Sequence, residues 1–200
     1  MTRVRSVSNN TLLLASGSPR RADLLRQLGV SFDICAVDID ESPHMGETPA
    51  VYVERMALEK SKAAQVLFGE RAILTADTAI ALDGEILGKP NTLAEAAGML
   101  HKLSGREHKV LTAVCVVRGS QKKLRLSATT VQFEVLDNAM ITEYLRCNES
   151  LDKAAGYAIQ GAAAALITSI HGSYTGVVGL PLCETRQLLE QFAIPYWKNS

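Results

Sequence analysis

Leu12-Leu13-Leu14-Ala15 runs without a break into Ser16-Gly17-Ser18-Pro19 and the pair Arg20-Arg21, after which Ala22-Asp23-Leu24-Leu25-Arg26-Gln27-Leu28-Gly29 takes up the helical period. The order is a strand, a tight turn and a helix. A helix that starts directly after a buried strand aims unpaired backbone N–H groups and its positive dipole end at whatever sits in the turn. An anion is the natural occupant. Ser16 and Ser18 offer hydroxyl donors, Gly17 allows close backbone approach, and Pro19 suits the first helical position, where no N–H is missed. Arg20 and Arg21 add forked donors that match phosphate oxygens. The alternative is a capped helix with two solvated arginines; because arginines on a first turn oppose the helix dipole, the anion reading is preferred.

Two hundred residues suffice for a full core and fit one domain over residues 1–200, with one or two lobes. Lys plus Arg and Asp plus Glu number 21 each, which speaks against a nucleic-acid backbone or a membrane surface as partner and points to a small substrate. Cys35, Cys115, Cys147 and Cys183 are widely spaced with no C-x-x-C pair, and read as buried free thiols of a reducing compartment. Residues 1–10 carry Arg3 and Arg5 and no apolar core, unlike a secretory signal, and no run approaches the ~20 apolar residues of a membrane span. A soluble, cytoplasmic protein is expected.

Beyond Gly29, residues 31–37 read as a second strand ending in Asp38-Ile39-Asp40-Glu41, a charge run that is either a solvated loop or a set of metal ligands. Thr48 caps a long helix with Pro49 in its first turn and an apolar pattern of Val51, Val53, Met56, Ala57, Ala63, Ala64 and Leu67. Lys60 lies near that stripe, as a snorkelling or a catalytic lysine. Residues 72–76 form a buried strand that delivers Asp77-Thr78 at its tip, and residues 79–82 resume strand composition before the Asp83-Gly84 turn and Glu85-Ile86-Leu87. A carboxylate there is unfavourable unless paired, hydrated or bound to metal, which makes Asp77 the first choice for a catalytic group. Lys89, between Gly88 and Pro90, emerges in a fixed direction.

Residues 92–103 read as a helix ended by Ser104-Gly105, and residues 108–117 and 123–135 as a long antiparallel hairpin around Gly119-Ser120. Asn138 is expected to cap a helix over 139–146. A Tyr157-Ala158-Ile159 strand, bounded by Gly156 and Gly161, delivers Gln160, either an ordinary turn residue or an amide able to read a base edge. Residues 162–170 read as a last strand, 171–174 as a turn, and residues 177–182 lead into a closing helix through Phe192. The tail from Pro195 is undecided between packing and fraying.

Hydroxyls and arginines at a helix start, an acidic loop, two lysines and a strand-borne aspartate together suit phosphate, metal and water activation. At these residues the chain closely resembles the Maf family of nucleotide pyrophosphatases, historically labelled septum-formation inhibitors. Its motifs stand here as Ala15-Ser16-Gly17-Ser18-Pro19-Arg20-Arg21, Asp40-Glu41, Ala57-Leu58-Glu59-Lys60, Ala76-Asp77-Thr78, Gly88-Lys89-Pro90, Tyr157-Ala158-Ile159-Gln160-Gly161 and Val178-Gly179-Leu180-Pro181, over residues 12–192. The resemblance implies an α/β fold of two lobes with an elongated mixed β-sheet flanked by helices, similar to inosine triphosphate pyrophosphatases. It also implies hydrolysis of a nucleoside triphosphate to the monophosphate and pyrophosphate, a divalent metal cation (Mg2+ or Mn2+) and a homodimer.

Position by position, Arg21, Glu41, Lys60 and Lys89 match the family's phosphate and metal site, with Ser16 and Ser18 in the same turn, and Asp77 matches its proposed proton acceptor, open between base and metal ligand. Arg20, Thr78 and Gln160 match the positions that separate its branches. The 7-methyl-GTP branch typically has tryptophan, glutamine and glutamate there, so this chain looks like the branch acting on dTTP, UTP and modified pyrimidine triphosphates. Thr75 departs from the glycine that relatives often carry. A nucleotide-binding regulator of cell division and a purine triphosphate pyrophosphatase are the competing readings; a pure binder needs no water-activating carboxylate, which argues against the first.

Overall fold

Strand β1 (Leu12–Leu14) is three leucines, all buried, because a parallel neighbour lies on either side: β2 (Phe32–Ile34) and β3 (Ile73–Leu82). The computed structural model describes residues 11–151 and 153–197. Helix α1 (Pro19–Gln27) follows β1 directly, and α2 (Pro49–Phe68) starts at Thr48, whose side chain accepts from the Val51 N–H. Strand β4 (Glu85–Leu87) turns back on β3 through Asp83 and Gly84, both at positive φ. After α3 (Leu93–Leu103) come the paired long strands β5 (Glu107–Arg118) and β6 (Gln121–Phe133), then α4 (Asn138–Leu145), β7 (Ile167–His171), α5 (Tyr174–Val178) and α6 (Leu182–Gln191). The mixed sheet runs β2-β1-β3-β5-β6-β7, with β4 on β3 off that path.

Alternation along β3 and β5 sorts the core. On one face Leu74, Ala76, Val114 and Val116 pack with Leu25, Leu188 and Leu189 of α1 and α6; farther along the same strands Ile80, Leu82 and Val110 pack with Leu100, Leu103 and Ile141 of α3 and α4. The opposite face, with Ile73, Ala79, Ala113 and Cys115, lies under Val53, Ala57 and Ala64 of α2. The two clusters on the first face are separated at Thr78 and Thr112, which stand opposite each other in register.

This arrangement leaves a gap. Strand β1 makes its last bond to β3 from the Ala15 N–H to the Leu74 carbonyl, 2.9 Å, and β4 does not take up that edge until Ile80. Residues 75–79 of β3 therefore face the turn after β1 with no strand between.

Several expectations change. Asp77 is not at a strand tip: residues 73–81 pair continuously with β5, so β3 runs straight through it. Residues 157–159 are not a strand. Ala155 and Gly156 at positive φ throw the chain out of extended geometry, and β7 already occupies the free edge of β6. Residues 162–166 form a 3-10 turn, so only Ile167–His171 pairs, and Ser173 then caps α5 instead of ending a simple turn. Asp137, not Asn138, caps α4, accepting from the Met140 N–H. On α2, Val51 and Leu67 are exposed, since the helix turns them away from the sheet. All four cysteines are free, but only Cys115 is buried. Tyr196 packs on the first cluster and Trp197 is exposed, while its N–H donates to the Leu28 carbonyl. Residues 1–10, read above as lacking a secretory signal, and the end of the tail lie outside the described residues.

Candidate active site

The turn after β1 is built around Arg21. Its Nε donates to the Gly179 carbonyl (2.9 Å), Nη1 to Ser16 Oγ (3.3 Å) and Nη2 to Thr78 Oγ1 (3.2 Å). Three nitrogens are thus fixed, and two of the five guanidinium N–H groups stay free for an anion. Ser16 Oγ also accepts from the Ser18 N–H at 3.2 Å, so its own O–H is left to donate outward. Ser18 sits at the N-cap of α1 without using its hydroxyl as a cap, and α1 has no acidic residue in its first turn. The turn thus offers guanidinium, hydroxyl and helix-start N–H donors with no carboxylate in the first turn of α1, which suits an anion. Removal from solvent draws the Arg21 pKa below its ordinary value, while the carboxylates of Asp77 and Glu41 oppose that fall.

Across the gap, on the α2 face, the buried Lys60 ammonium lies 2.6 Å from Asp77 Oδ1 and 2.7 Å from Glu41 Oε1. Burial raises the Asp77 pKa above its ordinary value, against the pull of Lys60 and Arg21. Burial also pushes Glu41 up, but the hydrogen bond and charge of Lys60, with Lys89 and Arg21, outweigh it and hold Glu41 low. Thr75, one turn of the pleat away, donates to the Ala57 carbonyl at 2.7 Å, so the residue that departs from the family pattern ties β3 to α2.

Sequence reading missed what holds Glu41. The Tyr52 hydroxyl donates to the Glu41 carbonyl (2.9 Å), and Arg55 donates to the Ser42 carbonyl (3.0 Å) and to both carboxylate oxygens of Glu47 (2.7 Å each). Burial, with Asp77 and Glu41 nearby, pushes the Tyr52 phenol up to about 12, which keeps it a donor. Thr112 was also missed; a lone hydroxyl in the apolar run of β5 was the available signal.

Arg21, Glu41, Lys60 and Asp77 are brought together, and Lys89 is exposed but close enough for its charge to act on Glu41. Arg20 is half-buried on the first turn of α1. Thr78 joins through Arg21, from the opposite face of β3 to Asp77. Gln160 is exposed in the turn after Ile159, and none of the cluster's hydrogen bonds reaches it. A mostly apolar cavity of about 430 Å³ beside Thr48, Pro49, Ala81, Lys109 and Leu111 contains none of these charged residues, so shape alone does not pick out the site.

Among the described residues no three His, Cys, Asp or Glu side chains gather as a complete metal site. The two carboxylates that meet at Lys60 still fit a hard divalent cation, which commonly takes one or two protein carboxylates and fills its shell with phosphate oxygens and water.

The family model described as Maf-like protein matches residues 11–192. The dTTP/UTP pyrophosphatase of Aromatoleum aromaticum is 48% identical, over 92% of this chain and 96% of its own length. That of Symbiobacterium thermophilum is 48% identical over 92% and 95%, and that of Alcanivorax borkumensis 48% over 94% and 98%. A solved nucleoside-triphosphatase / dITP/XTP pyrophosphatase from Mycobacterium abscessus aligns with 62% of this chain and 74% of its own at 17% identity and a TM-score of 0.38, too low to add to what the sheet itself shows. With nearly half of its residues shared over more than nine-tenths of the chain and the family model matching residues 11–192, the chain belongs to the Maf-like proteins.

Proposed function

We propose that this chain hydrolyses dTTP and UTP, and modified pyrimidine triphosphates, to the nucleoside monophosphate and pyrophosphate. The observation that carries the reading is the placement of a buried carboxylate, Asp77, on an ammonium across the gap from the turn that holds Arg21. The triphosphate lies between them, against Ser16, Ser18, Arg21, Lys60 and Lys89. Asp77 takes a proton from a water molecule as the water oxygen bonds to the α phosphorus and the bond from that phosphorus to the pyrophosphate oxygen breaks. Arg21, Lys60 and Lys89 meet the charge that develops on the leaving pyrophosphate. Glu41 and Asp77 would hold a divalent cation, Mg2+ or Mn2+, which would supply neutralising charge on the phosphates. Arg20, Thr78 and Gln160 set the choice of base.

We also propose a cytoplasmic protein and, from the family resemblance, a homodimer. Four free cysteines support a reducing compartment, and no helix among the described residues is long and apolar enough to cross a membrane. Sedimentation tests the dimer. The activity is tested by following dTTP with phosphorus NMR in the presence of Mg2+: dTMP and pyrophosphate are expected, and dTDP with orthophosphate would exclude cleavage between the α and β phosphates.

A further inference from the structure

Where the two apolar clusters of one sheet face part, the chain places a line of hydroxyls whose direction is fixed by chemistry. Arg21 can only donate, so Thr78 Oγ1 accepts from it. The Gly176 carbonyl can only accept, so Thr112 donates to it, at 2.8 Å. The remaining contact, 2.9 Å between Thr78 and Thr112, then runs from Thr78 to Thr112. The protons all point from Arg21 toward α5.

The line has a rigid far end. Thr112 is 1% exposed, and Gly176 lies so close to the sheet that a Cβ there would stand 3.2 Å from Ser127 Oγ and from Ser173 Cβ. Arg21 Nε is held by the Gly179 carbonyl of the same segment. Gly179 has φ 124, where side chains are strained, and a Cβ would stand 3.6 Å from both Arg21 Nε and Thr78 Oγ1. One short helix thus grips the guanidinium directly through Gly179 and indirectly through Thr112 and Thr78.

We infer that Thr112 is a positioning residue for the phosphate-binding arginine. Its hydroxyl orients Thr78, and Thr78 fixes the plane in which Arg21 presents its two free N–H groups. A threonine pair placed only to satisfy its own hydroxyls would not need a charged donor at one end; here the relay ends on the group that meets the anion. The inference rests on the reading of Arg21 as a phosphate contact.

The test is a double-mutant cycle read by inhibition with inorganic pyrophosphate, which reports the grip on phosphate without the base or the chemical step. Thr112→Val keeps shape and loses the hydroxyl; Thr112→Ser keeps the hydroxyl. The valine variant is expected to weaken pyrophosphate inhibition and raise KM for dTTP by about tenfold, the scale of one buried hydrogen-bond partner lost, with the serine variant near wild type. In a Thr78→Val background, Thr112→Val should add nothing further. Thr112→Ala gives the same reading should the valine variant not fold.

Unchanged pyrophosphate inhibition in folded Thr112→Val, no rescue by serine, or full additivity with Thr78→Val would each overturn the relay. Arg21→Gln separates the two layers. Weak pyrophosphate binding in Arg21→Gln alongside normal binding in Thr112→Val removes the relay and leaves the phosphate reading standing. Normal binding in Arg21→Gln removes both.

Discussion

Lys60 Nζ and Asp77 Oδ1 lie 2.6 Å apart on facing elements, α2 and β3, and both side chains are about nine-tenths buried. The pair explains how a carboxylate survives in the middle of a sheet strand. Burial raises the pKa of that carboxylate, while the ammonium opposes the rise and holds the side chain in place. Asp77→Asn should lower kcat for dTTP roughly a hundredfold or more, as loss of a general base does. The fold is expected to survive, because Lys60 keeps Glu41 as a partner and is not left as a stranded charge. A folded variant, checked by circular dichroism, that turned over dTTP at the normal rate would remove Asp77 from the reaction.

Glu41 plays a different part and should fail differently. Its side chain is half exposed, so Glu41→Gln is expected to change stability by no more than about 1 kcal/mol. If it helps hold the divalent cation, the variant should need on the order of ten times more Mg2+ for half-maximal rate, with much of the rate recovered at saturation. Titration of activity against Mg2+ decides. An unchanged metal profile would assign Glu41 to Lys60 alone.

The parts of this architecture that were legible before folding are those written in local chemistry. Three leucines, a small-residue turn and Pro19 specify β1 and α1; Thr48 caps its helix as read; Gly119 and Ser120 mark the β5–β6 turn. What local chemistry misses is supplied by partners distant in sequence. Asp77 looked like a strand end because a charge interrupts an apolar run, yet β5 pairs on both sides of it. Tyr157 and Ile159 have strand-forming side chains, but Tyr157 is drawn into a buried ring cluster with His108 and Phe133 where no edge is free. The Arg55–Glu47 clamp was invisible because it joins a helix to a loop whose path only the fold defines.

Gln160 carries the prediction on base choice. A pyrimidine has one ring, so discrimination rests on hydrogen bonds to its carbonyl and imide edge more than on stacking area, and an amide offers one donor and one acceptor in a plane. Gln160 stands exposed, free of the cluster's own bonding. Gln160→Glu exchanges the donor for a second acceptor, repelling a uracil or thymine carbonyl and favouring a base that presents N–H donors, as 7-methylguanine does. In competition assays kcat/KM should shift from dTTP and UTP toward 7-methyl-GTP. Unchanged ratios across the three nucleotides would mean that Gln160 does not read the base.

His108 gives the acid limit of stability. The residue is 2% exposed; its ring shares a 2.6 Å bond through Nε2 with the Tyr157 hydroxyl and has no partner at Nδ1. Burial lowers its pKa from 6.5 to about 4, so the folded protein holds it neutral. The unfolded chain takes up a proton first as pH falls below about 6.5, which means that this contribution is complete above that pH and is lost progressively down to about 4. The total loss is of the order of 3 kcal/mol, the full shift setting a ceiling of about 3.4 kcal/mol. Glu47, held near 2 by its hydrogen bond from Arg55, contributes to acid sensitivity only below its unfolded value of 4.5, outside most of the histidine window. Urea unfolding at intervals from pH 7 to pH 4.5 should therefore show stability falling with acid in the wild type. His108→Gln has no proton to take up at this position and should be less stable at pH 7 and lose the histidine part of that fall, leaving a shallower slope; an equal slope in both proteins would place the acid sensitivity elsewhere.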